Sequence, residues 1–145
     1  MRGGGRTDSV RIVLDTNVVV SGLLSAFGPP AQIVDLVSAG DLGLVVDDRI
    51  LAEYEDVLRR PELGLDRWDV GDFLMLVEMA EMCIGAPLPR PLPDPSDAPF
   101  LEVAIAGAVD ALVTGNARHF APYSGRLVIP IVSPKAFLDL LGRRS

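Results

Sequence analysis

Apolar residues recur along this chain in two ways, as short unbroken runs and as stripes spaced three and four apart, and the two alternate from end to end. That alternation predicts an α/β domain with a central, mainly parallel sheet. Val10 to Leu14 is a β-branched apolar run of the kind buried on both faces of such a sheet, and predicts the first strand. A helix follows from about Asn17 to Leu24. Pro29 and Pro30 place proline in the first turn of a second helix, Ala31 to Ala39, with Ile33, Leu36 and Val37 as its buried stripe and Gly40 as its stop. Leu42 to Val46 predicts a second strand, after which Asp47 or Asp48 caps a helix from Arg49 to Arg59. Ile50, Leu51, Tyr54, Val57 and Leu58 form its apolar face. Glu53 falls about 40° outside the edge of that face at 3.6 residues per turn, so it is anchored by the core and free to point into a cleft.

Asp69 is then expected to cap a helix from Val70 to Ala80, with a short strand near Met82 to Ile84 beyond it. Ala86 to Pro99 holds six of the twelve prolines, too many for helix interior or central strand, and reads as a connection. A helix from Ala98 to Ala106 turns Phe100, Leu101, Ala104 and Ile105 inward. Ala111 to Thr114 and Val128 to Val132 read as strands. Ser133 with Pro134 opens a last helix through Leu141, closed by Gly142. No internal repeat is present. Met1 to Ser9, rich in Gly and Arg and without an apolar h-region, reads as a mobile tail rather than a signal peptide, leaving residues 10–145 as one domain.

A chain of 145 residues suits a single core. No apolar run approaches the roughly 20 residues of a membrane span, so no membrane partner is expected. Cys83 is the only cysteine, which excludes an internal disulfide and a multi-cysteine zinc site, fits a reducing cytoplasm, and is most simply a small buried hydrophobe. The net charge of −7 opposes long-range attraction of nucleic acid. Acids gathered round a cation are partly neutralised once it binds, however, and Arg49, Arg59, Arg60, Arg90, Arg118 and His119 are candidate local contacts.

Those acids stand at punctuation points. Asp15 immediately follows the first strand, and ligands of open α/β sheets bind at the carboxyl ends of strands. Asn116 sits just past the strand ending at Thr114, Asp97 opens a helix after the proline-rich connection, and Glu53 joins from a helix edge. Such a set offers hard oxygen ligands to Mg²⁺ or Mn²⁺, ions that take few carboxylates and keep several waters. The chemistry implied is in-line hydrolysis of a phosphodiester.

At these residues a resemblance becomes specific. Ile12-Val13-Leu14-Asp15-Thr16-Asn17-Val18 is similar to the opening motif of PIN-domain proteins, which include the VapC-like toxins of bacterial toxin-antitoxin pairs. Glu53, within Leu51-Ala52-Glu53-Tyr54, matches the second acid. Asp94-Pro95-Ser96-Asp97-Ala98-Pro99-Phe100-Leu101 resembles the third-acid segment, and Leu112-Val113-Thr114-Gly115-Asn116 with His119-Phe120 the fourth. Any one motif is weak; four in order, from about Val10 to Leu141, are strong. The resemblance implies a PIN-like three-layer α/β/α sandwich and a Mg²⁺- or Mn²⁺-dependent ribonuclease. It also implies an RNA substrate, a homodimer or higher oligomer, and a small antitoxin protein that blocks the site. Many members carry Asp where this chain has Asn116, which loses one negative charge and weakens a second metal more than the first.

Plainer roles compete at each position. Asp15 alone suits an Asx turn, and Asp97 an N-cap. Thr16 is expected to cap the first helix, while Asn17 and Thr114 support the acids from behind. Ser21, one turn after Asn17, either faces the same cleft or bonds back to its own helix. Arg118 and His119 are weak RNA contacts, and Asp94 belongs to a turn. Two other functions remain open: a PIN-like binding or assembly module whose cleavage is lost, and a phosphoacceptor domain with Asp15 as nucleophile. The second leaves Glu53 and Asp97 unexplained.

Overall fold

The computed structural model describes residues 9–144. The tail read at Met1 to Ser9 lies outside them except for Ser9. Five strands, β1 (Val10–Leu14), β2 (Leu42–Val46), β3 (Glu81–Met82), β4 (Ala111–Val113) and β5 (Ile131–Val132), form one sheet in the order β3-β2-β1-β4-β5. Every pairing is parallel. Six helices connect and cover them: α1 (Thr16–Leu24), α2 (Pro29–Ser38), α3 (Asp48–Leu58), α4 (Arg67–Val77), α5 (Ala98–Ala106) and α6 (Pro134–Arg144). The result is the three-layer α/β/α sandwich expected.

The central strands are buried because they are apolar on both sides. In β1, Ile12, Val13 and Leu14 are fully buried, and β2 and β4 are equally enclosed. α2 packs on β2 and α6, while α5 packs on β1, β2 and β4. α3, α4 and α5 meet at Tyr54, whose ring lies against Phe73 and Phe100. α1 and α2 approach unusually closely at Gly22, where a Cβ would stand 2.7 Å from Val34 Cγ2 and 2.8 Å from the Pro30 carbonyl oxygen. Among the described residues no single helix is long and apolar enough to cross a membrane.

Several boundaries differ from the sequence reading, each for a local reason. α4 starts at Arg67 because Asp66, not Asp69, caps it, accepting from the amides of Trp68 and Asp69. β3 occupies Glu81–Met82 rather than Met82 to Ile84, and Ile84 is exposed. β5 is confined to Ile131–Val132 because Pro130, which has no amide proton, breaks the run and Val128 stands in solvent. In α5 Phe100, Leu101 and Ala104 face inward as expected, but Val103 is buried with them and Ile105 is 40% exposed. α6 runs through Gly142 to Arg144.

The order of strands places a topological switch at β1, whose neighbours β2 and β4 are reached by connections leaving in opposite directions. Open α/β sheets take their ligands outside the carboxyl ends of the strands at such a point, here β1 and β4.

Candidate metal centre

Asp15 follows β1 at this switch point and is only 5% exposed. Its backbone amide donates to the Val113 carbonyl at 2.9 Å, fixing the end of β1 to the end of β4. The Thr114 hydroxyl then donates to Asp15 Oδ2 at 2.7 Å and accepts from the Asn116 amide at 3.0 Å. Thr114 is thus a relay between the first and fourth positions of the predicted set. Asp15 precedes α1, yet its side chain makes no capping bond, so the Asx-turn role does not describe it.

Thr16 does not cap α1. It is the first helical residue, and its hydroxyl donates to Glu53 Oε2 across 37 positions of sequence. Glu53 is half-buried on α3, as its place beside the apolar face predicts. The next residue, Tyr54, is fully buried and its hydroxyl donates to the Leu14 carbonyl, one residue before Asp15. Burial pushes the Tyr54 phenol well above its ordinary range, with Asp15 and Glu53 adding to the shift. This hydroxyl escaped the sequence reading because Tyr54 also fits an apolar stripe.

Asp97 ends a 3-10 turn, Pro95–Asp97, and stands at the start of α5 without capping it. Asp94 does the turn's work, accepting from the Ser96 amide and hydroxyl. Asp97 is 9% exposed, and its Oδ2 is buried without a hydrogen-bond donor. His119 Nδ1 lies 3.3 Å from that oxygen but outside hydrogen-bond geometry.

The electrostatics tie the three acids together. Burial raises the Asp15 carboxyl to about 6; the Thr114 hydrogen bond opposes the rise, and the fields of Asp97 and Glu53 add to it. Asp97 is also raised, first by burial and then by Asp94, against the lowering effect of His119. Like charges thus act on one another within the site.

Asn116 is half-buried beside them. Asn17 Oδ1 accepts from the Gly115 amide at 3.2 Å, a support role that ties α1 to the turn after β4. Ser21 is exposed one turn further along α1, and Arg118 is exposed beyond Asn116. Arg49 is bound to Asp47 at 2.7 Å and Glu102 at 2.8 Å, which makes it a clamp between α3 and α5. Glu102, buried within an otherwise apolar helix, was the sequence signal for that clamp and went unread.

Do these residues suit a hard divalent cation? A buried carboxylate oxygen that accepts no hydrogen bond, a second buried carboxyl and a neutral amide oxygen are the right donors. Among the described residues no three His, Cys, Asp or Glu side chains stand close enough to form a preassembled ligand set. The fit is therefore to an ion that keeps much of its water, as Mg²⁺ does, rather than to a closed structural site.

A doubly wound parallel sheet with buried acids at its switch point defines an α/β protein with a candidate ligand site at the ends of β1 and β4. Residues 11–118 match the model of the PIN domain family, and the chain belongs to that family. PIN domains are generally nucleases and usually use divalent metals. No curated protein matches the chain in sequence.

Proposed function

We propose that this protein is a metal-dependent ribonuclease in which Asp15, Glu53 and Asp97 hold Mg²⁺ or Mn²⁺, with Asn116 as a neutral fourth donor. One observation carries the reading: Asp97 Oδ2 is buried with no hydrogen bond and only His119 Nδ1 near it, at 3.3 Å, and the fold has buried the Asp15 carboxyl as well. A buried acceptor left unpaired costs stability, and a cation removes that cost. When bound, the ion supplies Lewis-acid polarisation of a phosphoryl oxygen and stabilises charge on the leaving oxygen. The chain itself supplies order. Thr114 and Thr16 hold Asp15 and Glu53 by hydroxyl hydrogen bonds, and Tyr54 ties the strand end behind Asp15 to the helix that carries Glu53. Positions fixed in this way cost no reorganisation when substrate arrives. In the hydrolysis, a water oxygen bonds to phosphorus, the ester P–O bond breaks, and the leaving oxygen takes up a proton.

The four ordered motifs further support a toxin of a toxin-antitoxin pair, acting in the cytoplasm as a homodimer or larger assembly and held in check by a small antitoxin protein. RNA cleavage with Mn²⁺ or Mg²⁺ tests the central reading. Cleavage by the native protein that is abolished by EDTA and by Asp15→Asn is expected; activity surviving both refutes it. The open ligand set and Asn116 favour a second reading, a PIN-like binding module with weakened cleavage. Absence of Mn²⁺ binding by calorimetry would select it.

A further inference from the structure

The end of α3 and the start of α4 enclose a cleft of about 350 Å³. Its floor is apolar, with Leu58, Leu65 and Val70, and its charged lining residues among the described ones are all arginines: Arg59, Arg60 and Arg67. Trp68, 71% exposed, adjoins the cleft through Arg67, whose guanidinium carbon lies 5.2 Å from its ring centroid. A large aromatic ring held this far into water buries little of itself and stabilises the fold little.

The three arginines are open to exchange. Arg59 faces Glu55 at 3.8 Å and Arg60 meets Asp56 at 2.8 Å, all four being about half or more exposed. Exposed pairs of this kind contribute little and yield readily to a stronger anion. Arg67 has no carboxylate partner among the described residues, and the neighbouring Asp66 is already engaged by two amides of α4. The cleft also lies on the helix that carries Glu53. Arg60 is raised chiefly by its Asp56 hydrogen bond.

We propose that this cleft binds single-stranded RNA at the end of the helix that carries Glu53, with Arg59, Arg60 and Arg67 on the phosphates and a base stacked on Trp68. The inference rests on the nuclease reading and extends it to substrate capture. Arginine forks match phosphate oxygens in pairs, and every base offers a flat face to an indole. A chain of net charge −7 draws little from long-range attraction, so capture falls to short-range contacts. An acidic peptide would meet the same arginines but has no ring to lay on the indole.

Trp68 is the only tryptophan, so its fluorescence reports on this site directly. Titration with a uridine oligonucleotide in EDTA, where cleavage is blocked, is expected to quench it. Three neutralised phosphates on a single strand predict a log–log salt slope of about −2, and the double variant R59Q/R60Q should reduce its size by about 1.4. With a labelled oligonucleotide followed by anisotropy, Trp68→Ala should weaken binding roughly 5- to 100-fold and Trp68→Phe should restore most of it. No quenching, a salt slope unchanged in R59Q/R60Q, or equal quenching by polyglutamate would overturn the proposal. Binding lost with cleavage intact removes this site alone, whereas binding intact with no metal-dependent cleavage removes the nuclease reading alone.

Discussion

Asp15→Asn isolates what the buried carboxyl costs the fold. The folded protein holds this group at about 6 against an ordinary value of 3.8, a difference of about 2.2. At 1.36 kcal/mol per pH unit, that amounts to about 3 kcal/mol. A carboxyl whose folded pKa is raised binds its proton more tightly when folded. Its stabilising protonation is complete below the unfolded value, is lost as pH rises from about 3.8 to about 6, and is absent above that window. At pH 7.5 in EDTA the native protein therefore carries the full cost. The amide of Asp15→Asn removes the charge and keeps an oxygen for the Thr114 hydroxyl, so the variant should be more stable by up to about 3 kcal/mol. For a chain of this size, that is a rise of about 6–12 °C in Tm. The advantage should shrink towards zero near pH 4. Mn²⁺ at about 1,000 times its Kd should reverse the order, since a ligand at that level adds about 4.1 kcal/mol to whichever form binds it. Urea unfolding between pH 4 and 8, with and without Mn²⁺, measures all of this. A variant no more stable than the native protein at pH 7.5 in EDTA, or a difference that does not change with pH, would refute the account.

Thr114→Val removes the donor to Asp15 Oδ2 and should cost about 1.5–3 kcal/mol at pH 7.5, with less lost at pH 4, by the same unfolding curves. Gly22→Ala forces a Cβ to within 2.7 Å of Val34 and should cost about 1–3 kcal/mol while leaving cleavage per folded molecule unchanged. Arg49→Ala leaves Asp47 and Glu102 without their cation. Because Arg49 is about half exposed, the loss should be about 1–3 kcal/mol, below the range for a fully buried pair, and a loss under 0.5 kcal/mol in urea would show that the clamp is dispensable.

The strands legible in the sequence are the ones that burial dictates. β1 and β2 are unbroken apolar runs enclosed on both faces, and the structure reproduces their bounds. Edge strands carry no such signal: β3 shows two exposed residues, and β5 is cut short by Pro130. α5 misled for a related reason, since a helix apolar almost all round does not announce its buried face. The acids were legible from their places at strand and helix ends. The groups holding them were not, because Thr16 to Glu53 and Tyr54 to Leu14 join residues 37 and 40 positions apart, and no local pattern encodes such pairs.

The use made of cap-competent residues separates structure from function more sharply than burial does. Asp47 accepts from the Ile50 amide, Asp66 from two amides of α4, Asp94 from Ser96, and the Ser133 hydroxyl from the Ala136 amide. Each is spent on its own element, as a residue selected for stability should be. Asp15 and Asp97 hold equivalent positions before α1 and α5 and cap neither. Both are buried, both have raised proton affinity, and one has an oxygen with no donor. A fold that caps wherever a cap is useful thus leaves two buried carboxyls uncapped at one end of the sheet, which supports the proposed site. Carboxylate oxygens of this kind suit a hydrated divalent cation in charge and hardness.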